Sequence, residues 1–466
     1  MNFTDSRGLC VTTRSAAALE RYEEAARQTH GYVGNPLATL DEALAEDPDF
    51  AMAHALRADL AAMSSEQGAL PLIRSSVEAL ARIGNRANWR ERAHVAAASA
   101  WMEGRFESAV QLYGAIVIEY PQDLVALQTA HVMDFYLGDS PMLRDRPAQV
   151  LPHWHAEVPG FGYLLGMHAF GLEETANYSR AEDVGRRALD LNARDPWAVH
   201  AVQHVFEMQG RVHDGIQWLN ATAPHWSDSA LSFHNWWHLA LHQLELDDFE
   251  AALDTYDRLV HPNPSVVALE LVDASQLLWR IALRGGDVGP RWLALADCWA
   301  APAERGFYVF NDLHALMAYA SAGRHDEVRR MLATLEGRAA AADTNGAVTR
   351  DVGLPLARAI VAFSEARYAD AVELLLPIRS RAQCIGGSHA QRDLVQLTCI
   401  EAALRSGSGR LARALASERT EQKPANPFNW RLAARSLEIE GDLDAARAAA
   451  EHAEIRRRAQ LRRAAA

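Results

Sequence analysis

The residues best suited to chemistry sit in two histidine-bearing stretches of the middle third. DPWAVHAVQHVFEMQGR places His200, His204 and Glu207 at i, i+4 and i+7. FHNWWHLALHQLE places His234, His238 and His242 at i, i+4 and i+8. At about 100° per residue, each set shares one narrow stripe of a helix. Side chains four apart on a helix have Cβ atoms about 5–6 Å apart, so both can reach one ligand or ion. Neutral imidazole and carboxylate suit zinc, iron or manganese, which makes His200, His204, His234 and His238 the candidates for a divalent metal. The order differs from the HExxH of zinc proteases, because Glu207 follows the second histidine. The competing reading is that these histidines pack and hydrogen-bond across helices. Trp237, next to His238, is expected to stack on a substrate.

Three further groups carry polar chemistry. In FNDLHALMAYASAGR, Asn311, Asp312 and His314 fall where a helix should begin. Asp312 is expected either to tune His314 for acid–base work or to cap the helix. In IGGSHAQRD, Gly386 and Gly387 suggest a close approach of the backbone to something such as a ligand, against the plainer reading of a surface loop and cap. Ser388 would cap the next helix, and Arg392 would hold a carboxylate or phosphate. Cys384 lies nearby with no activating environment. In LELVDASQLLWRIAL, Asp273 and Arg280 share one face of an apolar helix. Buried charges must be paired, with each other through a neighbour or with Arg350 or Asp351.

Helices must position all of these. Ala, Leu, Glu and Arg abound, apolar residues recur at three- and four-residue spacing, and strand-like alternation is nearly absent. One phrase recurs: a short turn, an aromatic, then Ala, as in EGRFESAVQLY, LDDFEAALDTYDRL and EARYADAVELLL. A second phrase has Pro or Asp opening the next helix, as in AEDPDFAMAHAL, EYPQDLVALQ and NARDPWAVHA. Together they describe helix-turn-helix units of about the tetratricopeptide length, 34 residues. The fold class is therefore all-α, a tetratricopeptide-like helical-hairpin solenoid in which the small Ala lets paired helices approach. The rival is a closed α/α barrel of the sugar-epimerase kind. Residues 1–466 are expected to form one helical-repeat domain, with 1–34 an N-terminal segment of uncharacterised structure and 454–466 a basic helical end. Residues 284–290 and 336–348 read as loops.

Bulk properties narrow the classes. The net charge of -14 argues against nucleic acid as a partner. The four cysteines are scattered, without a CxxC pair, so neither a disulfide framework nor a cysteine zinc site is expected. With no signal-like start and no run of about 18 apolar residues, the expectation is a cytoplasmic protein without a membrane partner.

The phrases RERAHVAA, FYLGD, HAVQHVFEM, FHNWWHLAL, LVDASQLLWR, FNDLHALMA, RDVGLPLARA and GGSHAQRD resemble, in order, the tetratricopeptide repeat protein 38 family. The resemblance runs from about residue 35 to 405. It implies a tetratricopeptide-like helical fold and counterparts to His200, His204, Glu207, His234, Asn235, His238, Asp273, Arg280, Asn311, Asp312, His314, Arg350, Asp351, Gln391, Arg392 and Asp393. Two positions depart, since the family can carry an aromatic at His242 and Asn at His389. The family name describes repeats, and no reaction transfers with it.

The expected function is a small-molecule enzyme with a pocket inside the superhelix. Its chemistry would be acid–base or hydrolytic, on a small polar or anionic substrate, with or without a divalent metal. His200, His204, Glu207, His234, His238, Asp312 and His314 form the expected catalytic set. Trp237, Asn235, Asp273, Arg280, Asn311, Arg350, His389, Arg392 and Asp393 form the expected substrate-binding set. The alternative is an interaction scaffold that binds a peptide in its concave groove, and a third reading gives the same surface to a homodimer.

Overall fold

The structure, a computed structural model, describes residues 3–302 and 305–464. Apart from a two-residue hairpin that pairs Phe3 with Val11 and Thr4 with Cys10, the described residues build helices joined by short turns. The first helix, α1, runs Ala16–Gly31. The first members of the successive pairs that matter to the site are α2 (Leu124–Leu137), α3 (Phe161–Glu174), α4 (Pro196–Gln209), α5 (Ser232–Glu245), α6 (Ala268–Leu283), α7 (Val309–Ser321) and α8 (His389–Arg405). From α2 to α6 the starts advance by 37, 35, 36 and 36 residues. That is the helical-hairpin repeat read from the sequence.

Local chemistry sets the boundaries. Asp195 accepts hydrogen bonds from the backbone N–H groups of Trp197 (3.0 Å) and Ala198 (3.2 Å), and Pro196 occupies the first turn, where a missing N–H costs nothing. Gly210 ends α4 in the left-handed conformation, with φ 66°. The small residues of the repeated phrase, Ala109, Ala252 and Ala371, are fully buried. Gly215 fills the same place in the helix that follows α4, where a Cβ would lie 2.1 Å from Nε2 of His242.

The two helices of a pair face different surroundings. Every residue of α4 from Pro196 to Phe206 is buried. Its partner, Val212–Trp226, buries only Val212, Gly215, Leu219 and Trp226. First helices thus form the inner layer and second helices the outer one, so polar residues on first helices are forced into the interior.

The superhelix winds tightly enough to close on itself. Ala268 N–H donates to Glu66 (2.9 Å), Asn311 donates to Ser65 (3.2 Å), Gly387 N–H donates to Phe135 O (3.1 Å) and His389 N–H donates to Glu174 (2.8 Å). The concave side is therefore filled by side chains. The main hydrophobic core extends from Ala58 to Leu432 through this inner layer.

The loop expected at 336–348 needs correction, while 284–290 joins two helices as expected. Residues 336–339 still belong to the helix His325–Ala339, and 344–348 form the short helix Thr344–Val348. The apolar and small residues there fit helix as well as loop. The segment 1–34 acquires the hairpin and α1. Of the basic end, 454–464 continue the helix Leu443–Ala464, and 465–466 lie outside the described residues.

Candidate metal centre

His200 and His204 on α4 meet His234 and His238 on α5, and all four are buried. Ring centroids are 4.4 Å apart for 200–204, 4.6 Å for 204–238, 4.7 Å for 200–234 and 4.9 Å for 234–238. One ligand nitrogen from each lies within 4.8 Å of the others. The i, i+4 pairs supply two rings each, and the packing of neighbouring repeats turns two stripes into one cluster.

Carboxylates stand behind three of the rings. Asp273 of α6 lies 2.6 Å from Nδ1 of His234. Glu207 lies 3.0 Å from Nδ1 of His238. Glu173 of α3 lies 3.3 Å from Nδ1 of His204. A carboxylate at Nδ1 holds the proton there and turns the Nε2 lone pair inward. Among the described residues, Nε2 of His204 and of His238 have no hydrogen-bond partner. Nε2 of His234 faces Nε2 of His200 at 2.9 Å. Burial, then the neighbouring imidazoles, push His200 and His238 well below the usual histidine range, so both stay neutral, the form that binds metal.

These groups fit a divalent ion. Ligand nitrogens sit about 2.0–2.1 Å from zinc, which places tetrahedral neighbours about 3.3–3.4 Å apart. Drawing in nitrogens that now lie within 4.8 Å of one another needs shifts of about 1 Å or less.

A second group adjoins the first. His389 of α8 lies 2.9 Å from Glu173 and 3.7 Å from Glu174, and 3.4 Å from Nδ1 of His204. Burial disfavours a charge on His389, but the two glutamates outweigh it and raise its pKa to about 9. Glu173 is held at about 2, because His389 and His204 overcome its burial. A protonated His389 cannot ligate an ion, so its place is as a counter-charge. On the far side, Lys423 lies 3.7 Å from Glu207, and burial of Glu207 is outweighed by His238 and Lys423, which hold it well below the carboxylate range.

Several expected residues act elsewhere. Asp312 does not touch His314: it accepts from Gly306 N–H (3.2 Å), while His314 pairs through Nδ1 with Phe310 O (2.7 Å). Nor is Asp312 the cap, since Tyr308 precedes α7 and caps it without a side-chain bond. Asn311 ties α7 to Ser65. Arg280 pairs with neither Asp273 nor Arg350. It donates to Gln276 (2.7 Å) and to Ala390 O (2.5 Å), with its guanidinium 5.4 Å over Trp237. Trp237 is fully buried and stacks on His234 at 5.3 Å, which makes it a backing for that ring and not a substrate platform. Asn235 donates to Pro196 O (3.3 Å) and joins α5 to α4. Arg350 is half exposed beside Asp351 at the surface. Arg392 is taken by Glu174 (3.2 Å), and Asp393 pairs with Arg419. Gly386 approaches its own chain, where a Cβ would lie 2.0 Å from the Tyr308 hydroxyl, and Ser388 caps α8. His242 contacts Gln203 and stays outside the four-ring cluster.

The sequence reading did not single out Glu173, Glu174, Lys423 or Trp197. Two adjacent glutamates at the buried end of an otherwise apolar helix were the available signal.

Beside His200 and His234 opens a cavity of about 290 Å³. Tyr32, Met63, Phe135, Trp197, Phe233 and Leu269 contribute apolar wall, and Gln128, Asp273 and Gln391 are among its polar residues. Its wall is apolar, unlike the polar pocket expected.

No family model matches the chain. Among solved structures, human IFIT1 dimer with PPP-AAAA is similar at 13% identity and TM-score 0.36, over 94% of this chain and 88% of that one. The P58(IPK) TPR domain is similar at 13% identity and TM-score 0.22, over 80% and 97%. Naa15/Naa10 bound to HypK-THB is similar at 12% identity and TM-score 0.23, over 93% and 67%. No described helix is long and apolar enough to cross a membrane. The chain's own helix pairs, repeating over the inner layer that carries the histidines, make it a tetratricopeptide-like helical-repeat protein.

Proposed function

We propose that this protein is a helical-repeat metalloprotein whose interior holds a divalent ion, zinc, iron or manganese, for acid–base or hydrolytic chemistry on a small molecule. One observation carries the reading: three buried imidazoles, two with a carboxylate bonded at Nδ1 and one with a carboxylate 3.3 Å from it, each bring a ring nitrogen within 4.8 Å of one another and of a fourth. Carboxylate–histidine pairs of this kind orient and strengthen metal ligands. His204, His234 and His238 would hold the ion with His200, and Asp273, Glu207 and Glu173 would position them. A bound ion would supply a Lewis acid and lower the pKa of a bound water. The surrounding apolar wall excludes bulk water. The protonated His389 balances Glu173 and Glu174 beside it. The resemblance to the tetratricopeptide repeat protein 38 family belongs to this reading and names no substrate.

Repeat architecture itself supports a second reading, an interaction scaffold. Its groove is filled here, so a partner would use the exposed apolar residues of the last helix pair, Ile439, Leu443 and Ile455. Net charge alone is also a weak ground for excluding nucleic acid, given that IFIT1 is solved with PPP-AAAA.

The test is a thermal titration of metal-stripped protein with each ion. An ion at 100 times its Kd stabilises by about 2.7 kcal/mol. No shift with zinc, iron or manganese overturns the metal reading, and a pulled-down partner in that case would favour the scaffold.

A further inference from the structure

The contacts behind the histidine cluster converge on one short turn. The four rings lie on α4 and α5. Two of the backing carboxylates, Glu173 and Asp273, lie on the flanking helices α3 and α6. Residues 389–392, the first turn of α8, reach both flanks. On the α3 side, His389 lies 2.9 Å from Glu173, while the His389 N–H (2.8 Å) and Arg392 (3.2 Å) both donate to Glu174. On the α6 side, Gln391 donates to Asp273 (3.2 Å). Ala390 O accepts from Arg280 (2.5 Å), whose guanidinium lies over Trp237, the ring stacked on His234. Four consecutive residues thus tie α3 to α6 across the helix pair that carries the rings.

The turn is itself held in place. Gly387 N–H donates to Phe135 O (3.1 Å) on α2. At Gly386, with φ 92°, a Cβ would lie 2.3 Å from Tyr136 O, so the backbone presses on α2 where only glycine fits. Gln391 uses both ends of its amide. Its oxygen accepts the Ser388 N–H (3.2 Å) in the capping box that starts α8. A backbone N–H can only donate, so the amide oxygen faces Ser388 and the nitrogen faces Asp273. Ser388, Gln391, Asp273 and His234 therefore form one chain of hydrogen bonds that ends at a ring of the cluster. A carboxylate orients its histidine only as well as its own second oxygen is held.

Resting on the metal reading above, we propose that the first turn of α8 is the positioning clamp of the ion site, with Gln391 acting through Asp273 on His234 and His389 acting through Glu173 on His204. Neither residue touches the ion. Both are positioning residues, and the polar side chains of this turn are spent on the protein instead of on a substrate. The clamp also makes the site depend on closure of the superhelix, because α8 reaches α3 only where the last repeats return to the earlier ones.

The experiment measures zinc affinity of full-length variants by chelator competition, beside the melting temperature of the metal-free protein. Gln391→Met removes the donor to Asp273 at similar side-chain length and should weaken zinc about tenfold or more. In an Asp273→Asn background the same change should add less than about twofold, because Gln391 acts through Asp273. Thr398→Val strips Trp279 of its acceptor (3.0 Å) about two turns further along α8. It should lower the melting temperature and leave zinc affinity within about twofold. The visible absorption of cobalt-loaded protein, which reports ligand geometry, should change with Gln391→Met and not with Thr398→Val. Should Gln391→Met not fold, Gln391→Asn, which keeps the amide but falls one methylene short of Asp273, carries the same expectations. Unchanged zinc affinity in the Gln391 variant, equal weakening by Thr398→Val, or full additivity with Asp273→Asn each overturn the clamp while leaving the metal reading intact. A wild-type chain that binds no zinc overturns the metal reading, and the clamp with it.

Discussion

Two buried histidine networks in this chain differ in one respect that matters. His94 lies between Asp59 (2.7 Å) and Asp123 (3.0 Å), and Asp123 also receives Arg90 (2.8 Å) and the backbone of Ala126 (3.0 Å). Both ring nitrogens are engaged. Burial opposes a charge on His94, but the two aspartates outweigh it and raise its pKa to about 9. In the central cluster, three of the four imidazoles have a carboxylate at Nδ1, and among the described residues Nδ1 of His200 and Nε2 of His204 and His238 have no hydrogen-bond partner. The first network is complete within the protein and reads as structure. The second is short of partners, and an ion would complete it. Unused ring nitrogens also occur elsewhere, both of them at His131, so it is the convergence of four buried rings within 4.8 Å that marks the candidate site.

The largest expected contrast is in stability. His94→Ala removes a buried partner from both Asp59 and Asp123 and should cost about 3–5 kcal/mol by chemical denaturation. In metal-free protein His238→Ala should cost less, about 1–3 kcal/mol, yet remove metal binding. Equal losses from both would erase the distinction between the networks.

Next in size is the effect of a backing carboxylate. Glu207→Gln should weaken metal affinity about 10–100-fold while the helical circular dichroism is unchanged. Unchanged affinity would mean that His238 is not a ligand.

The networks should also respond oppositely to pH. His94 is raised, so its contribution is full below the unfolded histidine value of about 6.5 and is lost as pH rises through about 9. His389 adds to that alkaline limb. His200 and His238 are lowered, so the unfolded state takes up more protons below about 6.5 and stability falls on acidification. Denaturation midpoints of metal-free protein across pH should show His94→Asn flattening the alkaline limb and His238→Asn the acid limb. The reverse assignment would contradict the electrostatics.

Smallest is the effect at a residue that the sequence placed in the site. Arg350→Ala should leave metal affinity and melting temperature unchanged, because the Arg350–Asp351 pair is solvent-exposed.

Much of this was legible in the residues. The aromatic–Ala phrase marks each pair because close helix packing admits only a small residue at Ala109, Ala252 or Ala371. The i, i+4 spacing of His200 with His204 and of His234 with His238 gives the cluster, because helical geometry alone puts each pair on one face. What failed was partner assignment. His389 reaches Glu174 across 215 positions, and Asn311 reaches Ser65 across 246, contacts that depend on how far the superhelix winds. The arginines expected to grip an anion illustrate the same limit. A buried guanidinium needs a partner from the fold itself; Arg392 finds Glu174 and Arg280 finds Gln276 and the backbone of Ala390.

Elemental analysis of the full chain, purified without added metal and again after stripping and reloading, tests the central claim most directly. The account predicts about one equivalent of zinc, iron or manganese per chain, lost in a His204→Ala/His238→Ala double variant that remains helical. Less than about a tenth of an equivalent in the reloaded wild-type protein, or equal metal in the double variant, would contradict it.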